Sequence, residues 1–293
     1  MSAAHPIIAI TGSSGAGTTT VKKAFENIFR RERITAVIVE GDSFHRYDRL
    51  EMRDAMRRAG VEGNPHFSHF GDEANLFAEL EQLFQRYGDS GHGRIRRYLH
   101  AAEEASQYGK GAGTFTEWED IPDATDLLFY EGLHGAVATE TVDVARLADL
   151  LIGVVPTINL EWIQKLHRDM DIRGYSTEAV VDTILRRMPD YVKYICPQFS
   201  RTHVNFQRVP MVDTSNPFIA RDIPSADESF LVIRFAHPQG IDFSYLLSML
   251  HGSFMSRANT LVAPGGKMPL AMQLIFTPMI LKLLDNKRRA KSK

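Results

Sequence analysis

Short apolar runs alternate along the chain with amphipathic stretches of helical period, and the alternation starts at once. Ile7–Thr11 reads as a strand, Val21–Arg31 places Val21, Phe25, Ile28 and Phe29 on one helix face, and Ala36–Glu40 reads as the next strand. Further strands are predicted at Asp126–Tyr130, Leu150–Val155, Val209–Asp213 and Phe230–Phe235. Runs that are apolar throughout suit strands covered on both faces. The pattern therefore predicts an α/β fold with a mainly parallel, mixed sheet flanked by helices. Leu76, Leu80, Leu83 and Phe84 form a helical stripe, read as core. Gly88–Gly113 has glycines and basic residues without a period and reads as an insertion or long surface loop. With no repeat and no linker, residues 1–293 read as a single domain. The uncharged stretch between Lys267 and Lys282 contains Pro269 and Pro278 and falls short of the ~20 residues a bilayer span needs, so it predicts a buried helix. The basic tail Asn286–Lys293 reads as a solvated end.

Composition narrows the class without naming a chemistry. Apolar residues at 44% and charged residues at 24% exclude a disordered chain. The 34 basic and 36 acidic residues leave a formal charge of -2, so no overall basic field recruits nucleic acid or an anionic membrane, and neither partner is expected. Any anion must be held by local clusters. Cys196 is the sole cysteine, which excludes an intramolecular disulfide, and no basic residue precedes the short run Ile7–Ile10 as an export signal requires. A cytoplasmic location is expected.

The chemistry gathers at the ends of the predicted strands. After the first comes Gly12-Ser13-Ser14-Gly15-Ala16-Gly17-Thr18-Thr19-Thr20, which fits the P-loop spacing G-x-x-x-x-G-x-[ST] ahead of a helix. Such a loop turns backbone N–H groups toward the phosphates of ATP, with Thr19 placed to bind the magnesium ion. Thr18 stands where a lysine usually reaches the phosphates, so another cation must substitute. The second strand closes on Val39-Glu40-Gly41-Asp42. Asp42 either accepts a proton from a hydroxyl or caps a following helix, on which His45 and Arg49 at i and i+4 either hold an anionic group or face solvent. The third closes on Glu131, which either orients magnesium or is a solvated loop residue, while His134 reads as structural.

The most specific stretch is Lys165-Leu166-His167-Arg168-Asp169-Met170-Asp171-Ile172-Arg173-Gly174-Tyr175-Ser176-Thr177-Glu178. It resembles the signature of the phosphoribulokinase family, K-[apolar]-x-R-D-x-x-x-R-G-x-[ST]-x-E, at every fixed position. Gly41-Asp42, Phe70 and Glu73-Ala74-Asn75 extend the likeness to the bacterial members over most of the chain. The resemblance implies a P-loop kinase that uses ATP and magnesium to convert ribulose 5-phosphate to ribulose 1,5-bisphosphate in the Calvin cycle. It implies Asp42 as catalytic base, Lys165 as the cation that supplements the lysine-less loop, and Asp169 at the metal or beside the base. Arg49, Arg168 and Arg173 then lie near the sugar phosphate or the transferring group, and His45 assists sugar binding. Residues near 165–190 read as a lid-like segment. Arg186, Arg187, Arg234 and Arg257 are similar to arginines that link subunits to NADH activation and AMP inhibition in bacterial relatives, or are surface ion-pair residues. A homo-oligomer, an octamer, is implied on the same ground. Three other readings compete: a uridine-kinase-like or pantothenate-kinase-like enzyme, a nucleotide-dependent switch, and a binding protein with a degenerate loop. No Asn-Lys-x-Asp motif supports the switch.

Overall fold

The structure, a computed structural model, describes residues 4–12, 18–172, 174–219 and 222–291. The first half lays down β1 (Ile7–Gly12), α1 (Thr18–Glu32), β2 (Ala36–Glu40), α2 (Arg49–Val61) and α3 (Phe77–Ser90). Then come β3 (Arg94–Ile95), α4 (Ala102–Ser106), β4 (Glu119–Asp120), β5 (Leu127–Gly132) and β6 (Leu150–Val155). The second half comprises α5 (Ile158–His167), α6 (Thr177–Asp190), β7 (Val204–Pro210), β8 (Ser229–Phe235), α7 (Phe243–Met249), β9 (Phe254–Arg257), β10 (Thr260–Pro264) and α8 (Met268–Lys291). Eight strands form one sheet in the order β2-β5-β1-β6-β7-β8-β10-β9. The first five are mutually parallel and the last three antiparallel, so the mixed, mainly parallel α/β fold expected from the sequence is present.

Alternation within β1 explains why this strand sits at the centre. Ile8 and Ile10 face a core built with Val21, Phe25 and Ile28 of α1 and with Phe276 and Ile280 of α8. Ile7 and Ala9 face a second core with Leu80, Leu83 and Phe84 of α3. Both faces are covered, so every β1 position is buried. Phe25 touches Phe129 and Phe276 at ring separations of 4.9 and 5.0 Å, which clamps both long helices to one face.

Four local expectations need correction. The strand placed at Val209–Asp213 lies earlier, at Val204–Pro210. Val204 and Phe206 carry its burial, and Met211 and Val212 beyond Pro210 are exposed. Gly88–Gly113 is not one loop: α3 runs through to Ser90, and β3 and β4 pair as an antiparallel ribbon that encloses α4. His45 and Arg49 do not share a helix, because Asp48 forms a capping box with Glu51 and starts α2 at Arg49. The C-terminal apolar stretch is the buried helix its pattern predicts, but it is not too short for a bilayer, since the helical run Gly265–Ala290 is long and apolar enough by length and composition. In the fold its Ala271, Met272, Ile275, Phe276, Ile280 and Leu284 are core residues.

The basic tail was also expected to be solvated, but Lys287 is buried. Its ammonium donates to the carbonyls of Thr125 and Asp126 at 2.7 Å each, pinning the end of α8 to the entrance of β5. Lys287→Met removes both donations and leaves two carbonyls short of partners, which costs about 1–3 kcal/mol. Urea unfolding of the variant should show a lower midpoint at an unchanged slope.

Candidate active site

The parallel strands β2, β5, β1 and β6 deliver their C-terminal ends to one edge of the sheet, where ligands bind in open α/β folds. The strand–loop–helix setting of the P-loop is present, since β1 ends at Gly12 and α1 begins at Thr18. Ser13, Ser14, Gly15, Ala16 and Gly17 lie outside the described residues, as do the side chains of Thr18, Thr19 and Thr20. One turn into α1, Lys22 pairs with Glu40, which stands in register beside Glu131 of β5. Burial alone would depress the Lys22 ammonium, but Glu40 and then Glu131 outweigh it and hold its pKa above the usual lysine range. Lys22 therefore answers the acidic strand ends. Glu131 sits inside β5 rather than in a loop.

β2 and β5 approach each other most closely where they end. A Cβ on Gly41 would meet the Cα of Gly132 at 2.8 Å and the Tyr130 hydroxyl at 2.6 Å, so both positions require glycine. The chain then turns sharply through Gly41–Phe44, which leaves Asp42 at the strand end with its side chain 40% exposed. Its carboxylate lies 3.6 Å from His45 Nε2 and 3.5 Å from His100 Nε2. His45 was expected here. His100 was not, because it falls in the stretch taken for a loop and nothing in its spacing marks it.

Arg49 serves the same corner without reaching it as a free cation. Its guanidinium donates to the His100 carbonyl at 3.0 Å, and its backbone N–H donates to Gly113 at 2.9 Å. On the other side Arg46 donates to the carbonyls of Glu73 and Asn75, and Asn75 Nδ2 donates to those of His69 and Gly71. The Glu73-Ala74-Asn75 segment thus supports the Asp42 turn. The histidines packed there are held neutral by burial. It lowers the pKa of His45 against the pull of Asp42, lowers His69 further, and takes His134 down to about 3 despite a 3.0 Å contact with the Phe70 carbonyl. His45 and His69 meet at a tilt with ring centroids 4.7 Å apart, and His134 packs edge-on against Phe77, a structural position as the sequence suggested.

The signature stretch is not one helix. α5 ends at His167, a wide turn covers Arg168–Ile172, Gly174 takes a positive φ of 70°, and Ser176 caps α6 through the Ala179 amide. Lys165 and Asp169, one turn apart, form an ion pair, and Arg168 Nε reaches the other carboxylate oxygen at 3.0 Å. Burial would raise Asp169, but Lys165 and Arg168 outweigh it and hold the carboxylate ionised. Burial depresses Lys165, with Asp169 opposing. Arg173 lies outside the described residues.

The four arginines grouped as possible effector residues separate into two pairs. Arg186 donates to the Phe67 carbonyl and Ser68 Oγ donates to Asp190, each at 2.8 Å, which packs α6 on the segment that leads to His69, and the Arg187 charge adds to the depression of His69. Arg234 and Arg257 lie elsewhere. Both are in register with Thr260, and Asn205 is in register with Arg234, so one polar row crosses β7, β8, β10 and β9. That row lines a cavity of about 570 Å³ together with Gln207 and Asn259.

A corner with one carboxylate at a strand end, histidines beside it, and a separate Lys–Asp–Arg group at the end of α5 and in the turn after it suits phosphoryl transfer by alignment rather than by a covalent intermediate. Comparison with known proteins gives the same class. The model of the phosphoribulokinase/uridine kinase family matches residues 7–215. This chain belongs to that family. The similarity to phosphoribulokinases is full-length: 69% identity with the chromosomal phosphoribulokinase of Cupriavidus necator over 99% of both chains, and 66% with that of Nitrobacter vulgaris over 98% and 99%. The solved phosphoribulokinase from Rhodobacter spheroides superposes with a TM-score of 0.91 at 57% identity, covering 98% of this chain and all of the other. A P-loop kinase fold, expected from the sequence, is therefore established for this member of the family.

The buried His134 makes acid stability testable. Its folded pKa lies below the unfolded value of about 6.5, so its contribution is complete above that pH and is lost as pH falls toward 3. Between pH 7 and pH 5 the loss is about 2 kcal/mol. Urea titrations should show the parent losing that much more stability over this interval than His134→Gln, although the variant starts lower.

Proposed function

We propose that this chain transfers the γ-phosphate of ATP to ribulose 5-phosphate, giving ribulose 1,5-bisphosphate for carbon dioxide fixation in the Calvin cycle, in the cytoplasm. The observation that carries the reading is the Asp42 carboxylate at the end of β2, exposed at the crevice and flanked by two histidines. A base there takes the proton of the attacking hydroxyl, which reacts in line with the γ-phosphate. His45 and His100, at 3.6 and 3.5 Å, orient the carboxylate and contact the sugar. Lys165 and Arg168 supply positive charge to the transferring group, replacing the lysine absent at Thr18, while Arg173 and Arg49 serve the sugar phosphate side. Arg49 does so through its hold on the His100 carbonyl.

Magnesium fits the donor set, because Glu131 and Asp169 offer the hard carboxylate oxygens this ion selects and Thr19 is the hydroxyl of the loop motif. When bound it screens the charge of the phosphates. Asp169, held ionised by its cations, suits a ligand better than a base, which favours Asp42 for proton transfer. Arg234 and Arg257 in their shared cavity are the supported candidates for an anionic effector such as NADH or AMP, whereas Arg186 and Arg187 belong to the α6 face of the reaction corner. A homo-oligomer, by resemblance an octamer, completes the reading, and light scattering of the purified protein tests it.

ADP release with ATP and magnesium should rise strongly with ribulose 5-phosphate and stay at background with uridine or pantothenate. A preference for uridine would overturn the assignment. Asp42→Asn should lose ~10²–10⁴-fold in kcat with ATP affinity retained, and retention within tenfold removes Asp42 as base. Lys165→Met should lose about 10²-fold or more in kcat, because a cation aimed at developing charge is worth several kcal/mol in a dry site. An unchanged kcat would show that another group replaces the P-loop lysine.

A further inference from the structure

The ribbon formed by β3 and β4, together with the chain between them, does more than supply His100. Arg96, the first residue after β3, reaches back to the reaction corner. Its Nε donates to the carbonyl of Ser43 at 2.9 Å and its Nη2 donates to the carbonyl of His45 at 2.6 Å. These two carbonyls lie just beyond Asp42, one on each side of Phe44, in the turn that carries the base and its neighbouring histidine. The guanidinium is itself fixed by aromatic faces: it lies 3.7 Å from the Phe115 ring centroid and 4.9 Å from that of Trp118. Trp118 also meets Phe44 edge-on at 5.7 Å.

A planar fork of this kind fixes direction as well as distance. Two donors on one rigid plane set the relative orientation of both carbonyls, and a lysine ammonium, a point charge on a flexible stem, cannot reproduce it. The opposite side of the same turn is tied by backbone, since Leu76 N–H donates to the Phe44 carbonyl and Arg46 N–H to that of Ala74. Arg96 therefore supplies the constraint that the backbone ties leave out. The ribbon in turn holds Arg96: Arg94 and Ile95 pair with Asp120 and Glu119, and Tyr98 bridges to Phe115.

We propose that Arg96, clamped between Phe115 and Trp118, is a positioning residue for the acceptor side of the reaction, setting the attitude of the Asp42–His45 turn through the Ser43 and His45 carbonyls. Its fork is turned to protein carbonyls, those of Ser43 and His45. The inference rests on Asp42 acting as the base, and the test separates the two. Arg96→Met should lower kcat by about 10²-fold, the scale of a misplaced catalytic group, with ATP affinity unchanged and the KM for ribulose 5-phosphate raised. Arg96→Lys should recover only part of the loss. Trp118→Leu, which keeps the arginine and loosens its seat, should show a smaller effect in the same direction and serves if the Met variant fails to fold.

The deciding measurement is a double-mutant cycle. If Arg96 works by placing Asp42, then Arg96→Met introduced into Asp42→Asn should cost less than about threefold further, because the group it positions is already gone. A full additional loss in that background would overturn the proposal and reduce Arg96 to general stabilisation. So would unchanged kcat in Arg96→Met, or in Trp118→Leu should Arg96→Met not fold. Retention of activity by Asp42→Asn alone would instead overturn the assignment of the base.

Discussion

The reaction corner depends on one steric constraint, the contact between the backbones of Gly41 and Gly132. Two parallel strands normally leave room between their ends for side chains, but here the Cα of each glycine occupies the space where the other's Cβ would stand. That closeness lets β2 turn at once after Glu40, so Asp42 leaves the sheet over the crevice. The contact also keeps the acidic ends Glu40 and Glu131 in register, and Lys22 answers their combined charge.

Around that point the charges are segregated. Burial holds His45 and His69 neutral beside Asp42, which spares the corner the cost of desolvating imidazolium groups. Positive charge is kept on α5, the wide turn after it and α6, where Asp169 binds Lys165 and Arg168. The Arg187 charge works against protonation of both His45 and Lys165.

Much of this was legible in the sequence, and the misses share a cause. The central strands were readable because burial on both faces demands uninterrupted apolar residues, as in Ile7–Ile10 and Leu150–Val155. Asp42, Lys165 and Asp169 stood at strand ends or in a dense signature. The junction of the parallel and antiparallel parts is harder to read: β7, paired on both sides, mixes Asn205, Gln207 and Arg208 with its apolar residues, so the apolar pattern points to a later start than the strand has. Arg96 acts through the backbone carbonyls of Ser43 and His45, and Arg49 through that of His100, and a carbonyl has the same identity at every position. No residue pattern can announce such a bond. Lys287 hid in a run of tail charges for the same reason, since its partners are the carbonyls of Thr125 and Asp126.

Gln198 makes another tie of this kind. Gln198 is buried in the turn Cys196–Ser200; its Oε1 accepts from Thr11 Oγ1 and from the Ala136 amide, and its Nε2 donates to the carbonyls of Leu133 and Tyr194. Thr11 is the penultimate residue of β1, Leu133 and Ala136 follow β5, and Tyr194 belongs to the segment after α6. One amide is therefore a mechanical junction among three stretches of chain, and with both of its ends engaged it cannot rotate to release one while keeping the others. A displacement of the segment behind α6 would therefore have either to break one of these four bonds or to carry the end of β1 and the chain after β5 along with it.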